Sequence, residues 1–112
     1  KDSIDRNGSA FLEKIFTDNE IHYCENRKNQ KYQSYAARFA AKEAVSKALG
    51  TGFAKGVTLK GIEVMVSETG KPYIVFHDET KEYFEGIGGV SVDVSLTHTK
   101  DYATAFAVAI CK

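Results

Sequence analysis

Around Gly50 the hydrophobic repeat of this 112-residue chain changes from 3.6 residues to 2, so helices must be followed by strands. Phe11-Leu12-Glu13-Lys14-Ile15-Phe16 is a short apolar-periodic helix, and Thr17-Asp18-Asn19-Glu20 has the Thr-x-x-Glu form of a capping box that opens a second. That helix turns Ile21 and Cys24 inward and ends near Asn26. A long helix follows from about Tyr32 to Leu49, with Gly50 as its left-handed C-terminal residue. Thr58 to Val66 then reads as a strand with Ile62, Val64 and Val66 on one side. Glu68-Thr69-Gly70-Lys71 is a hairpin turn into Pro72–Phe76. His77 to Ile87 suits a helix stopped by Gly88-Gly89, and Val90–Leu96 and Tyr102–Ile110 form two more strands joined by a Thr97–Asp101 turn. Helices, hairpin, helix, hairpin in that order predict one α+β domain, its helices packed on an antiparallel sheet.

Charge and cysteine content narrow the function classes. Fifteen basic and fifteen acidic side chains cancel, so no overall field draws the chain to nucleic acid or a membrane surface. The one local cationic run, Arg27, Lys28 and Lys31, reads as a solvated helix connection or as a small docking patch. Cys24 and Cys111 make no disulfide framework, which fits a reducing cytoplasmic compartment, and no apolar run of eighteen residues spans a membrane. A small sheet with open edges favours self-association.

The long helix carries the most chemistry. Glu43 and Lys47 lie four apart on one face, and Phe39, four before Glu43, belongs to the same stripe. Tyr32, Tyr35, Ala36, Phe39 and Ala40 mark the expected buried side. The pair is therefore either an ordinary i,i+4 ion pair worth roughly 0.3–0.5 kcal/mol or a margin-of-core site for a cation and a phosphate. Arg38, on the same helix, is a fork-shaped donor suited to phosphate or, equally, a surface arginine with nothing bound. Ser95, Thr97 and His98 sit at the end of a strand, either as turn caps or as donors to phosphate oxygens. Lys71 and Pro72 are first of all hairpin residues, and His22 and His77 have no assigned role.

Taken as strings, these segments resemble the holo-acyl-carrier-protein synthases, the small branch of the 4'-phosphopantetheinyl transferases. Arg38-Phe39-Ala40-Ala41-Lys42-Glu43-Ala44-Val45-Ser46-Lys47 matches that family's aromatic, Lys-Glu, Lys motif. Val94-Ser95-Leu96-Thr97-His98-Thr99 matches its C-terminal Ser-x-Ser/Thr-His signature, and Gly70-Lys71-Pro72-Tyr73 is a third, weaker match. The resemblance runs from about Phe11 to Ile110.

The resemblance implies an enzyme of lipid metabolism that moves the phosphopantetheine arm of coenzyme A to a serine of an acyl carrier protein, with Mg²⁺. Glu43 would bind the metal, and Lys47 would contact the pyrophosphate or assist proton transfer. Ser95, Thr97 and His98 would hold coenzyme A phosphates, and Lys71 and Pro72 its adenosine end. The family assembles as a homotrimer with active sites between subunits. Its chains begin with a Gly-x-Asp strand whose aspartate is a second metal ligand, and this sequence is expected to lack that strand. Asp2 and Asp5 are expected to be solvent-exposed, and this chain alone to hold Mg²⁺ poorly. A non-catalytic coenzyme A-binding or self-associating module is the alternative.

Overall fold

The computed structural model describes residues 8–98 and 102–112, so Asp2, Asp5 and most of the Thr97–Asp101 turn lie outside the described residues. Helix α1 spans Gly8–Ile15 and α2 spans Asp18–Glu25; a one-turn 3₁₀ helix at Lys28–Gln30 leads into α3, Lys31–Ala48. Strands β1 (Ile62–Val66) and β2 (Pro72–Phe76), helix α4 (Asp78–Gly86), and strands β3 (Gly89–His98) and β4 (Ala103–Cys111) complete the order. The expected α+β architecture with antiparallel pairing is present; among the described residues the strands form two antiparallel pairs, β1–β2 and β3–β4.

Local chemistry fixes the helix ends. The Thr17 hydroxyl accepts from the Glu20 amide at 3.3 Å while the Glu20 carboxylate accepts from the Thr17 amide at 2.9 Å, a reciprocal capping box. Gly50, at φ 83°, terminates α3 as expected, with the amides of Thr51 and Gly52 both donating to the Ser46 carbonyl. Strand β1 starts four residues later than the alternation suggested. The Thr80 hydroxyl accepts from the Thr58 amide at 3.1 Å and donates to the Gly56 carbonyl at 3.2 Å, so that segment's backbone bonds go to α4 instead of a ladder. Gly61 is required there, since a Cβ would lie 2.1 Å from the Thr80 hydroxyl.

Two apolar clusters sit on either side of α3. Ile15, Phe16, Cys24 and Tyr35 form one; Val45, Leu49, Val57, Ile62 and Phe84 form the other, with Val92, Ala107 and Ala109 of the second sheet packed against it. The buried face of α3 is therefore not the one expected. Ser34, Tyr35, Ala37, Arg38, Ala41, Lys42, Val45 and Ser46 are buried, whereas Tyr32 and Phe39 are exposed at 49% and 37%. Charged Arg38 and Lys42 lie on the inward stripe, which is why apolar spacing alone pointed to the wrong side.

Candidate functional site

Lys42 is out of solvent entirely. Its ammonium donates to Glu20 Oε1 at 2.8 Å and to the carbonyls of Leu59 and Ile62, and Glu20 Oε2 accepts from the Val64 amide at 2.7 Å. One ion pair thus joins α2, α3 and β1. Burial pushes the Lys42 ammonium below its ordinary pKa, and the nearby Glu20 and Glu63 oppose that shift. With Lys42 inward, its neighbour Glu43 emerges half-buried at the helix margin, and Lys47 is exposed one turn later. Among the described residues Glu43 and Lys47 form no ion pair with each other or with another side chain. The ordinary helix-pair reading therefore fails, and both charges are available for a ligand.

Arg38 lies 4% exposed beside a cavity of about 310 Å³ lined also by Tyr23, Arg27, Pro72 and Leu96. Its guanidinium stacks 4.1 Å from the Tyr23 ring centroid and makes one long hydrogen bond, 3.5 Å, to the Ser34 carbonyl. Among the described residues Arg38 Nε has no hydrogen-bond partner. An unsatisfied buried donor is costly and belongs next to an acceptor that arrives with a ligand. Arg27 Nη1 donates to the Tyr23 hydroxyl at 2.9 Å and Nη2 to Gln30 Oε1 at 2.7 Å, so a second guanidinium flanks the same cavity. Pro72, at the start of β2 opposite Val66, meets Arg38 here; Lys71 is exposed in the turn beside it.

Ser95 and Thr97 are not brought to Arg38. They are exposed on β3, on the face opposite Leu96, paired with Phe106 and Thr104 of β4. Thr97 and His98 are strand residues rather than turn residues, His98 opposing Ala103. The outer face of β4 is apolar: Phe106, Val108 and Ile110 are exposed at 72%, 60% and 50%, and the intervening inward residues are alanines. That places Ser95 and Thr97 on an exposed, largely apolar sheet face.

Two features escaped sequence reasoning. Glu63 is 4% exposed: it accepts from the Thr17 hydroxyl and from Asn19 Nδ2 at 3.3 Å, and pairs with His77 Nε2 at 2.8 Å. Burial raises its pKa, but those three hydrogen bonds outweigh burial and hold the carboxyl below its ordinary value. His77 is thereby a structural residue joining α4 to β1. The second is Tyr23, whose i,i+4 spacing to Arg27 was the available signal. On the other side of α3, Phe11, Tyr32, Tyr35 and Phe39 line an apolar groove of about 320 Å³. Lys31, singled out for the cationic run, pairs with Glu25 at its rim at 3.1 Å.

The profile of the 4'-phosphopantetheinyl transferase superfamily matches residues 1–109. The holo-[acyl-carrier-protein] synthase of Ruminiclostridium cellulolyticum is 52% identical over 108 residues, 96% of this chain and 81% of the relative. The crystal structure of the Neisseria meningitidis holo-[acyl-carrier-protein] synthase superposes with a TM-score of 0.84 at 31% identity, covering 96% of this chain and 85% of that one. That of the Helicobacter pylori synthase in complex with coenzyme A does so at 0.79 and 31% identity, covering 97% and 89%. This chain, with its Lys42-directed Glu43 and its open guanidinium cavity, belongs to the 4'-phosphopantetheinyl transferase superfamily, in the holo-acyl-carrier-protein synthase branch.

Proposed function

We propose that the 112 residues form one phosphopantetheinyl transferase domain that moves the phosphopantetheine arm of coenzyme A to a serine hydroxyl of an acyl carrier protein. The serine oxygen forms a bond to the arm's phosphorus, the pyrophosphate P–O bond breaks, and adenosine 3',5'-bisphosphate leaves. The observation that carries this reading is the unpaired, half-buried Glu43 one helical turn from the exposed Lys47. Among the described residues no three His, Cys, Asp or Glu side chains form a metal cage. A single helix carboxylate still fits Mg²⁺, which takes most of its ligands from phosphate oxygens and water. Glu43 would hold that ion, which when bound neutralises charge on the pyrophosphate.

The chain's own side chains do the rest. Lys47 offers an ammonium to the pyrophosphate, and the Arg38 cavity, with Pro72 and Lys71 at its edge, takes the adenosine bisphosphate end. Ser95, Thr97 and His98 complete the phosphate contacts from a neighbouring copy, since the face that carries Ser95 and Thr97 turns away from Arg38 in one chain. A homotrimer buries the apolar outer face of β4 and brings these groups to a shared site. The carrier protein docks in the apolar groove: Phe39, at its wall, lies one turn before Glu43 on α3. The free cysteines Cys24 and Cys111 support a cytoplasmic setting. Incubating the chain with apo carrier protein, coenzyme A and Mg²⁺ and measuring the carrier's intact mass tests this reading; a mass that stays that of the apo form contradicts it.

A further inference from the structure

We infer that Tyr23 is a positioning residue for coenzyme A, holding both arginines of the anion cavity in place; this rests on the reading of that cavity as the adenosine bisphosphate site. The geometry makes Tyr23 the common support. Its ring carries the Arg38 guanidinium at 4.1 Å and faces the Arg27 guanidinium at 5.6 Å, and its hydroxyl accepts from Arg27 Nη1 at 2.9 Å. Among the described residues, hydrogen bonds alone do not fix Arg38: one is 3.5 Å long and Nε has none. A guanidinium held by an aromatic face keeps its in-plane N–H groups open for an incoming phosphate, whereas one held by a carboxylate would have spent them. No carboxylate is bonded to Arg38 among the described residues. Tyr23 sits on α2, which the Thr17 capping box and the Glu20–Lys42 pair fix against α3 and β1, so the support is itself rigid.

The two contacts separate by substitution. Tyr23→Phe keeps the ring under both guanidinium groups and loses only the hydroxyl's hydrogen bond to Arg27. Tyr23→Leu removes both. Calorimetric titration of coenzyme A into the full chain is predicted to show roughly tenfold weaker binding for Tyr23→Leu, the scale of one desolvated cation–π contact, and about twofold for Tyr23→Phe. Arg38→Gln should weaken binding at least as much as Tyr23→Leu, and the double variant Tyr23→Leu/Arg38→Gln should be no weaker than Arg38→Gln alone, because Tyr23 acts through Arg38. In turnover assays the loss should appear in KM for coenzyme A rather than in kcat. If Arg38→Gln binds like the unmodified chain, the cavity is not a phosphate site and the inference falls with that reading. If Arg38→Gln weakens binding but Tyr23→Leu does not, or the two effects add fully, the cavity reading stands and the role of Tyr23 is wrong. Should Tyr23→Leu unfold the chain, Tyr23→Trp, which restores an aromatic face without the hydroxyl, decides: near-native affinity supports the inference, and affinity as low as that of Arg38→Gln overturns it.

Discussion

The Lys42 ammonium and the Glu20 carboxylate meet at 2.8 Å with neither side chain exposed to solvent. Lys42 precedes Glu43 by one residue, so the pair sets the rotation of α3 that leaves Glu43 at the margin. Breaking a buried pair strands a charge, and Lys42→Met or Glu20→Gln alone is expected to cost about 3–5 kcal/mol in urea unfolding. The double replacement should cost clearly less than the sum. Additive losses would mean that the two groups act independently.

Glu63 contributes to the acid response. Its folded pKa lies below the ordinary value of 4.5, so its hydrogen bonds to Thr17, Asn19 and His77 contribute stability that is complete above about 4.5 and lost as pH falls through the lowered value. Glu63→Gln has no charge to lose there. Thermal melts from neutral pH down to about 3 should show a shallower acid decline for the variant than for the unmodified chain. Parallel declines would remove Glu63 from the acid response.

The outer face of β4 predicts self-association. With Phe106 72% exposed beside Val108 and Ile110, sedimentation should find a trimer, and Phe106→Glu should shift it toward monomer while leaving far-UV circular dichroism unchanged. A monomer at micromolar concentration would overturn the assembly and with it the shared site.

What was legible in the sequence was local. The Thr17 capping box, the Gly50 stop and the hairpin at Glu68–Lys71 depend on residues within a few positions, and each forms as expected. What was missed depends on distant partners. Arg38 and Lys42 are buried because Tyr23, Glu20 and the carbonyls of Leu59 and Ile62 receive them, and Glu63 because Thr17 lies 46 residues away in sequence yet bonded to it. No spacing rule carries such information. The start of β1 was misread for the same reason: Thr80, 22 positions later, takes the amide of Thr58. In the site, Glu43 and Lys47 were readable as one helical stripe, but their freedom from each other and the separation of Ser95 from Arg38 needed the fold.

Glu43 is proposed to serve transfer rather than folding. The most direct measurement is the intact mass of an apo carrier protein incubated with coenzyme A, Mg²⁺ and either the unmodified chain or Glu43→Gln, alongside thermal melts of both proteins. The carrier should gain one phosphopantetheine group with the unmodified chain, the rate should fall by about 10²–10³ with Glu43→Gln, and the two melts should coincide. Equal rates, or a melting loss as steep as the loss of activity, would contradict it.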